Sequence, residues 1–128
     1  MAQDPLIIFV CEHGAAKSVI AAAYFNKFAR ERNLRSHAIA RGTNPDPELS
    51  LITVAGLRED GLNADESVPQ KLSLEEIETA HQIIAFCELP AEFQRRENIE
   101  QWDNVPPVSE NYEKARDVII TKLKAMMK

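Results

Sequence analysis

Residues Val10 to Ser18 read Val-Cys-Glu-His-Gly-Ala-Ala-Lys-Ser (VCEHGAAKS). The run leading into them, Leu6 to Val10 (LIIFV), is apolar without alternation, as expected of a strand buried on both faces. The run leaving them, Ser18 to Asn33, carries Ile20, Tyr24 and Phe28 at helical spacing, with Ala21 and Phe25 alongside. That is an amphipathic helix with a broad apolar face. A strand that ends at a cysteine, turns through a glycine and enters a helix at a lysine-serine pair opens a βαβ unit.

The rest of the chain continues the alternation. Ser36 to Ala40 reads as a second strand, and Arg41 to Glu48 (RGTNPDPE) as a loop. Leu49 to Glu59 reads as a helix with Leu49, Ile52, Ala55 and Leu57 inward and Gly61 closing it. Ser67 to Lys71 (SVPQK) is extended. Ser73 and Glu76 have the spacing of a capping box, which starts a short helix to about Ala80. Gln82 to Phe86 is a third buried strand and Ile99 to Trp102 a fourth. Asp103 to Asn111 is a loop, and Tyr112 to Met127 the closing helix, with Ala115, Val118 or Ile119, and Leu123 facing in. Such a pattern predicts an α/β fold on a parallel sheet. No repeat, low-complexity tract or linker divides residues 1–128, so a single domain is expected. In such sheets ligands bind beyond the carboxyl ends of the strands. Cys11 follows the first strand and Cys87 the third, which puts both at that edge.

Composition narrows the partners. A net charge of -5 argues against nucleic acid or an anionic membrane as the main partner, while leaving room for a local anion site. The N-terminal MAQDP lacks a basic region before LIIFV, and no apolar run approaches spanning length, so a cytoplasmic protein is expected. The 2 cysteines are then expected as reduced thiols rather than a structural bridge. No metal-ligand spacing is present, and oligomeric state is not written in the sequence.

The turn after the first strand has the makings of an oxyanion site. The first amides of a helix lack intrahelical partners and, with the helix dipole, favour an anion. Gly14 can adopt a positive φ and let the amides of Glu12, His13, Gly14, Ala15 and Ala16 face one concavity. Lys17 adds a charge, and Ser18 a hydroxyl within reach of the Cys11 sulfur. A thiolate is itself an anion, so the same features suit Cys11 as a nucleophile. A nucleotide-type loop, G-x-x-x-x-G-K-[ST], fits poorly: Cys11 and Ala16 stand where its glycines belong, and only Lys17 and Ser18 match.

The cysteine phosphate loop, C-x5-R-[ST], fits from Cys11 to Ser18 with lysine for arginine. With its strand-turn-helix setting, the chain resembles the low-molecular-weight protein tyrosine phosphatase family, which includes the thioredoxin-coupled arsenate reductases. ARGTNPDPE is similar to that family's S-A-G-T loop, GLREDGLNADESVPQKLSLEEI to the stretch between its second and third helices, and HQIIAF to its D-x-I-I-x-M strand. The resemblance covers most of the chain. It implies a three-layer αβα domain of phosphotyrosine-phosphatase-I type, doubly wound around a four-stranded parallel sheet. It also implies that Cys11 attacks a phosphate monoester held by the loop.

Three departures bear on the chemistry. Lysine is a point charge where arginine makes a planar two-pronged contact. The family's late aspartate, the acid for the leaving oxygen, falls on proline in Trp102-Asp-Asn-Val-Pro-Pro107-Val, which leaves Asp103 as the nearby substitute or as a plain turn residue. Cys87 stands where the resemblance places an arsenate reductase's resolving cysteine, without the later second one; the alternative is a core thiol. Three functions follow. The first is a weak phosphatase with Cys11 as nucleophile, Lys17 and Ser18 assisting and Asp103 as the candidate acid. The second is an arsenate-reductase-like oxidoreductase using Cys11 and Cys87, with a thiol reductant such as thioredoxin. The third is a non-catalytic module for phosphate, sulfate or arsenate. In all three, Glu12 is expected to point outward and His13 to face solvent, the alternative for His13 being a donor to the anion or a gate. Trp102 and Tyr112 are expected to pack, the alternative being an aromatic flanking the substrate.

Overall fold

The computed structural model describes residues 5–63, 68–93 and 97–127. The N-terminal MAQD, Ser67 at the head of the expected SVPQK stretch, and Lys128 lie outside the described residues. The elements are β1 (Leu6–Cys11), α1 (Lys17–Glu31), β2 (His37–Gly42), α2 (Leu51–Glu59), α3 (Leu74–Thr79), β3 (Gln82–Ala85), a 3-10 turn (Ala91–Phe93), β4 (Ile99–Gln101) and α4 (Tyr112–Met126). The strands form one four-stranded sheet in the order β2-β1-β3-β4, with every pairing parallel.

Burial on both faces explains the unbroken apolar strands. Along β1, Ile7, Phe9 and Cys11 face a cluster with α1, α2 and α4, while Ile8 and Val10 face Leu72, Ile77 of α3 and Leu89 on the other side. The layers are therefore α1, α2 and α4, then the sheet, then α3 with the segment after β3. Phe9 is the hub of an aromatic group, 6.0 Å from Phe25, 6.3 Å from Phe86 and 6.0 Å from Trp102, which is buried.

Helix ends follow local chemistry. Ser73 and Glu76 form the capping box of α3. α1 stops at Glu31, short of the expected Asn33, because Asn33 takes a φ of 56° and the Leu34 amide turns back to the Ala29 carbonyl. Gly61, at φ 81°, ends α2 the same way, with the Leu62 amide on the Leu57 carbonyl. One expectation fails in α2. Ile52 is 46% exposed and Ala55 is exposed; the buried residues are Thr53, Gly56 and Leu57. The helix turns that face inward because the ring of Tyr112 lies on Gly56, where an added Cβ would collide with it.

Candidate active site

β1 delivers Cys11 as its last residue, and the chain bends through 12–16 into α1. The Cys11 Sγ lies 3.0 Å from the Ser18 Oγ; both residues are buried. Gly14 takes a φ of 61°, the left-handed conformation that the loop reading needed. The segment after β2 holds the outside of the turn. Amides of Thr43, Asn44, Asp46 and Ser50 donate to the carbonyls of Cys11 (3.2 Å), Glu12 (2.7 Å), His13 (3.0 Å) and Ala15 (3.0 Å). The carbonyls of Cys11, Glu12, His13 and Ala15 are thereby satisfied, while the amides of residues 12–16 donate to nothing among the described residues.

The start of α1 is also uncapped. Ser50, Ser73 and Asn111 cap the other three helices through their side chains, but Ala16 offers none to α1, and its first turn holds no acidic residue. An uncapped N-terminus with free amides is a place for an exogenous acceptor. Lys17, part-buried at this end, makes no ion pair or hydrogen bond among the described residues. Glu12 and His13 are exposed as expected. The His13 Nδ1 lies 3.1 Å from the Asp46 carboxylate and its Nε2 3.7 Å from that of Glu12, so both ring nitrogens face exposed carboxylates.

Cys87 and Cys11 are free thiols on the same edge, but they belong to different sides of the sheet. Cys11 packs with the α1 cluster and Cys87 against the α3 cluster. Burial pushes the Cys87 thiol above its ordinary range; the nearby Thr43 side chain and Lys17 work the other way, while Cys11 and Glu12 add to the rise. Asp103 is exposed on the loop after β4. The Gln101 carboxamide, with its nitrogen toward the two acceptors, donates to the Asp103 carboxylate (3.3 Å) and to the Cys87 carbonyl (3.2 Å). No hydrogen bond or ion pair links Asp103 to Cys11, Lys17 or Ser18 among the described residues.

Sequence reasoning missed Thr43, Asp46 and Gly42 as parts of the site. Their signal lay in the RGTNPDPE loop, whose spacing shows no periodicity. Among the described residues no cluster of three metal-ligating side chains occurs, and no helix is long and apolar enough to cross a membrane.

A doubly wound α/β domain with a cysteine at its first strand-helix turn defines a class. Residues 6–127 match the family described as low molecular weight phosphotyrosine protein phosphatase, and the chain belongs to that family. Solved structures agree on the fold. YfkJ from Bacillus subtilis superposes with a TM-score of 0.87 at 19% identity, over 98% of this chain and 94% of that one. The low molecular weight protein tyrosine phosphatase of T. tengcongensis gives 0.84 at 16%, over 97% and 98%. The thioredoxin-dependent arsenate reductase of Corynebacterium glutamicum gives 0.73 at 20%, over 98% of this chain and 63% of that longer one.

Proposed function

We propose that this chain is a cysteine-dependent phosphatase acting on phosphate monoesters, with Cys11 as nucleophile and residues 11–18 as the oxyanion cradle. The observation that carries this reading is the Cys11 to Ser18 contact of 3.0 Å at the foot of an uncapped helix. In the reaction the Cys11 sulfur attacks phosphorus and the alcohol or phenol departs. Water then hydrolyses the phosphocysteine to phosphate and free thiol. The Ser18 hydroxyl can donate to the thiolate as it re-forms. The free amides of 12–16 and Lys17 face the charge on the transferring group. Asp103 is the carboxylate proposed to protonate the leaving oxygen. A missing or distant acid costs about 10²–10⁴ in rate, and aryl phosphates suffer least.

Cys87 favours a second reading, an arsenate-reductase-like activity. Cys11 would attack arsenate and Cys87 the resulting adduct, so that two thiols give two electrons, arsenate leaves as arsenite and water, and a Cys11–Cys87 disulfide awaits a thiol reductant.

The deciding experiment is p-nitrophenyl phosphate hydrolysis by the wild type and Cys11→Ser under reducing conditions. Turnover that vanishes in the serine variant is the expected result. Turnover no higher than that of Cys11→Ser overturns the phosphatase. Loss of two titratable thiols on adding arsenate would then establish the reductase, and phosphate binding without either reaction would leave a binding module.

A further inference from the structure

Next to Cys87 in sequence the surface holds a shallow, open depression of about 490 Å³, lined by Thr43 and by Glu88 to Ala91. Thr43 joins this concavity to the turn, since its amide donates to the Cys11 carbonyl at 3.2 Å and its side chain lies close enough to Cys87 to act on that thiol. The lining from Glu88 to Ala91 is fixed from beneath. Leu89, 2% exposed, is buried with Ile8 and Ile77, and holds the backbone that carries Glu88. The Glu88 side chain is exposed, and its carboxylate makes no ion pair or hydrogen bond among the described residues.

The charges around this opening are unequal. Among the described residues of the loops 11–18, 42–50, 86–93 and 102–111, Lys17 is the single lysine or arginine. Glu12, 63% exposed, is near enough for its charge to act on Cys87, the residue before Glu88. A ligand that is only anionic meets the turn's amides and Lys17 but also passes two carboxylates. A ligand with an anionic head and a cation beside it satisfies both.

We propose that Glu88 is a specificity residue, selecting phosphorylated side chains that have lysine or arginine next to them. The inference rests on the phosphatase reading and deepens it. The phosphoryl group enters the turn 11–18, and the basic flank lies across the concavity between Thr43 and Pro90, within the field of Glu88. An acidic flank would face Glu88 with like charge, which is the stronger half of the discrimination.

The test is fluorescence anisotropy of two labelled phosphotyrosine peptides, one flanked by lysines and one by glutamates, on the full chain carrying Cys11→Ser, which cannot consume them. The basic peptide is expected to bind about three- to tenfold more tightly at low salt, and less so as salt rises. Adding Glu88→Gln should bring the ratio toward one, and Glu88→Lys should invert it. Equal binding of the two peptides, binding of neither, or a Glu88→Lys that weakens both alike would overturn the assignment. p-Nitrophenyl phosphate turnover by the wild type reports the phosphatase reading separately. Turnover without peptide discrimination removes the role of Glu88 alone. Discrimination without turnover keeps that role and removes the hydrolase.

Discussion

Gly14 and Gly42 meet backbone against backbone. A Cβ on Gly14 would lie 2.9 Å from the Gly42 nitrogen, and one on Gly42 would lie 2.8 Å from the Gly14 nitrogen. The turn that follows β1 is thus pressed onto the end of β2, and this contact aligns the amides of residues 43–50 with the carbonyls of the turn. Neither neighbour is a flexible side chain that can move aside.

Glycine substitution separates this contact from simple backbone strain. Gly61 also has a positive φ, 81°, but nothing lies within 4 Å of its would-be Cβ. Gly61→Ala should cost about 1 kcal/mol in urea unfolding, the penalty of a left-handed alanine. Gly42→Ala and Gly14→Ala should each cost more and should also abolish the rise in melting temperature produced by phosphate. A Gly42→Ala protein that melts like Gly61→Ala and still responds to phosphate would show that the contact yields.

The two tyrosines of the chain converge on one carboxylate. Tyr24 and Tyr112 donate to the same Asp60 oxygen at 2.6 and 2.9 Å, and Arg116 donates to the other at 2.9 Å, tying α1, α2 and α4 together. Burial, and then the Asp60 charge, push both phenols far above their ordinary range. The folded protein should therefore show no phenolate absorbance through pH 10–11, near the free value of about 10, until alkaline unfolding releases it. A reversible 295 nm titration of the folded chain near pH 10 would contradict the cluster.

The same cluster sets an acid limit. Burial works to raise the Asp60 carboxyl, but the Tyr24 and Tyr112 hydroxyls and Arg116 outweigh it and hold the group below the usual carboxylate range. A group depressed in the folded state contributes fully above its unfolded value of about 3.9 and loses that contribution as pH falls through the folded value. Asp60→Asn should cost about 1.5–3 kcal/mol at pH 7, and the gap to wild type should close at lower pH. A gap that stays constant down to the acid transition would mean that Asp60 is not ionised in the cluster.

The sheet and its flanking helices were legible because burial leaves a local pattern along the chain: LIIFV and QIIA as unbroken apolar runs, and the Ile20, Tyr24 and Phe28 stripe by its helical period. Pairwise fit leaves no such pattern. Hydropathy pointed Ile52 inward, whereas the ring of Tyr112, 56 positions away in sequence, needed the bare face of Gly56. Asp60 meets Arg116 across a similar separation. The turn itself was legible because Cys11, Gly14 and Ser18 are set by local geometry. Thr43 and Asp46 were not, since their part depends on how a second loop lies along the first.

Cys87 carries a test of the redox reading. Its thiol is half-buried and raised by that burial, so at pH 8 its alkylation by iodoacetamide should lag well behind that of glutathione and speed up with further alkali. Peptide mapping by mass spectrometry gives the rate for this site alone. Alkylation of Cys87 faster than of glutathione would reverse this picture and strengthen its claim as a resolving thiol.

Lys17 is the position where a conservative change should improve the protein. It stands at the N-terminus of α1, where a positive charge is unfavourable to the helix and is repaid only by an anion. Lysine meets that anion at one point, whereas arginine would meet two oxygens in one plane. Lys17→Arg should raise kcat/KM for p-nitrophenyl phosphate by about tenfold or more, the order of one added transition-state contact. Lys17→Ala should lose activity while making α1 no less stable. The Lys17→Arg gain should appear in kcat rather than KM, because in the proposed cradle the amides of the turn suffice to hold phosphate in the ground state. A Lys17→Arg protein no faster than wild type, with phosphate affinity unchanged, would mean that the side chain at this position lies outside the cradle.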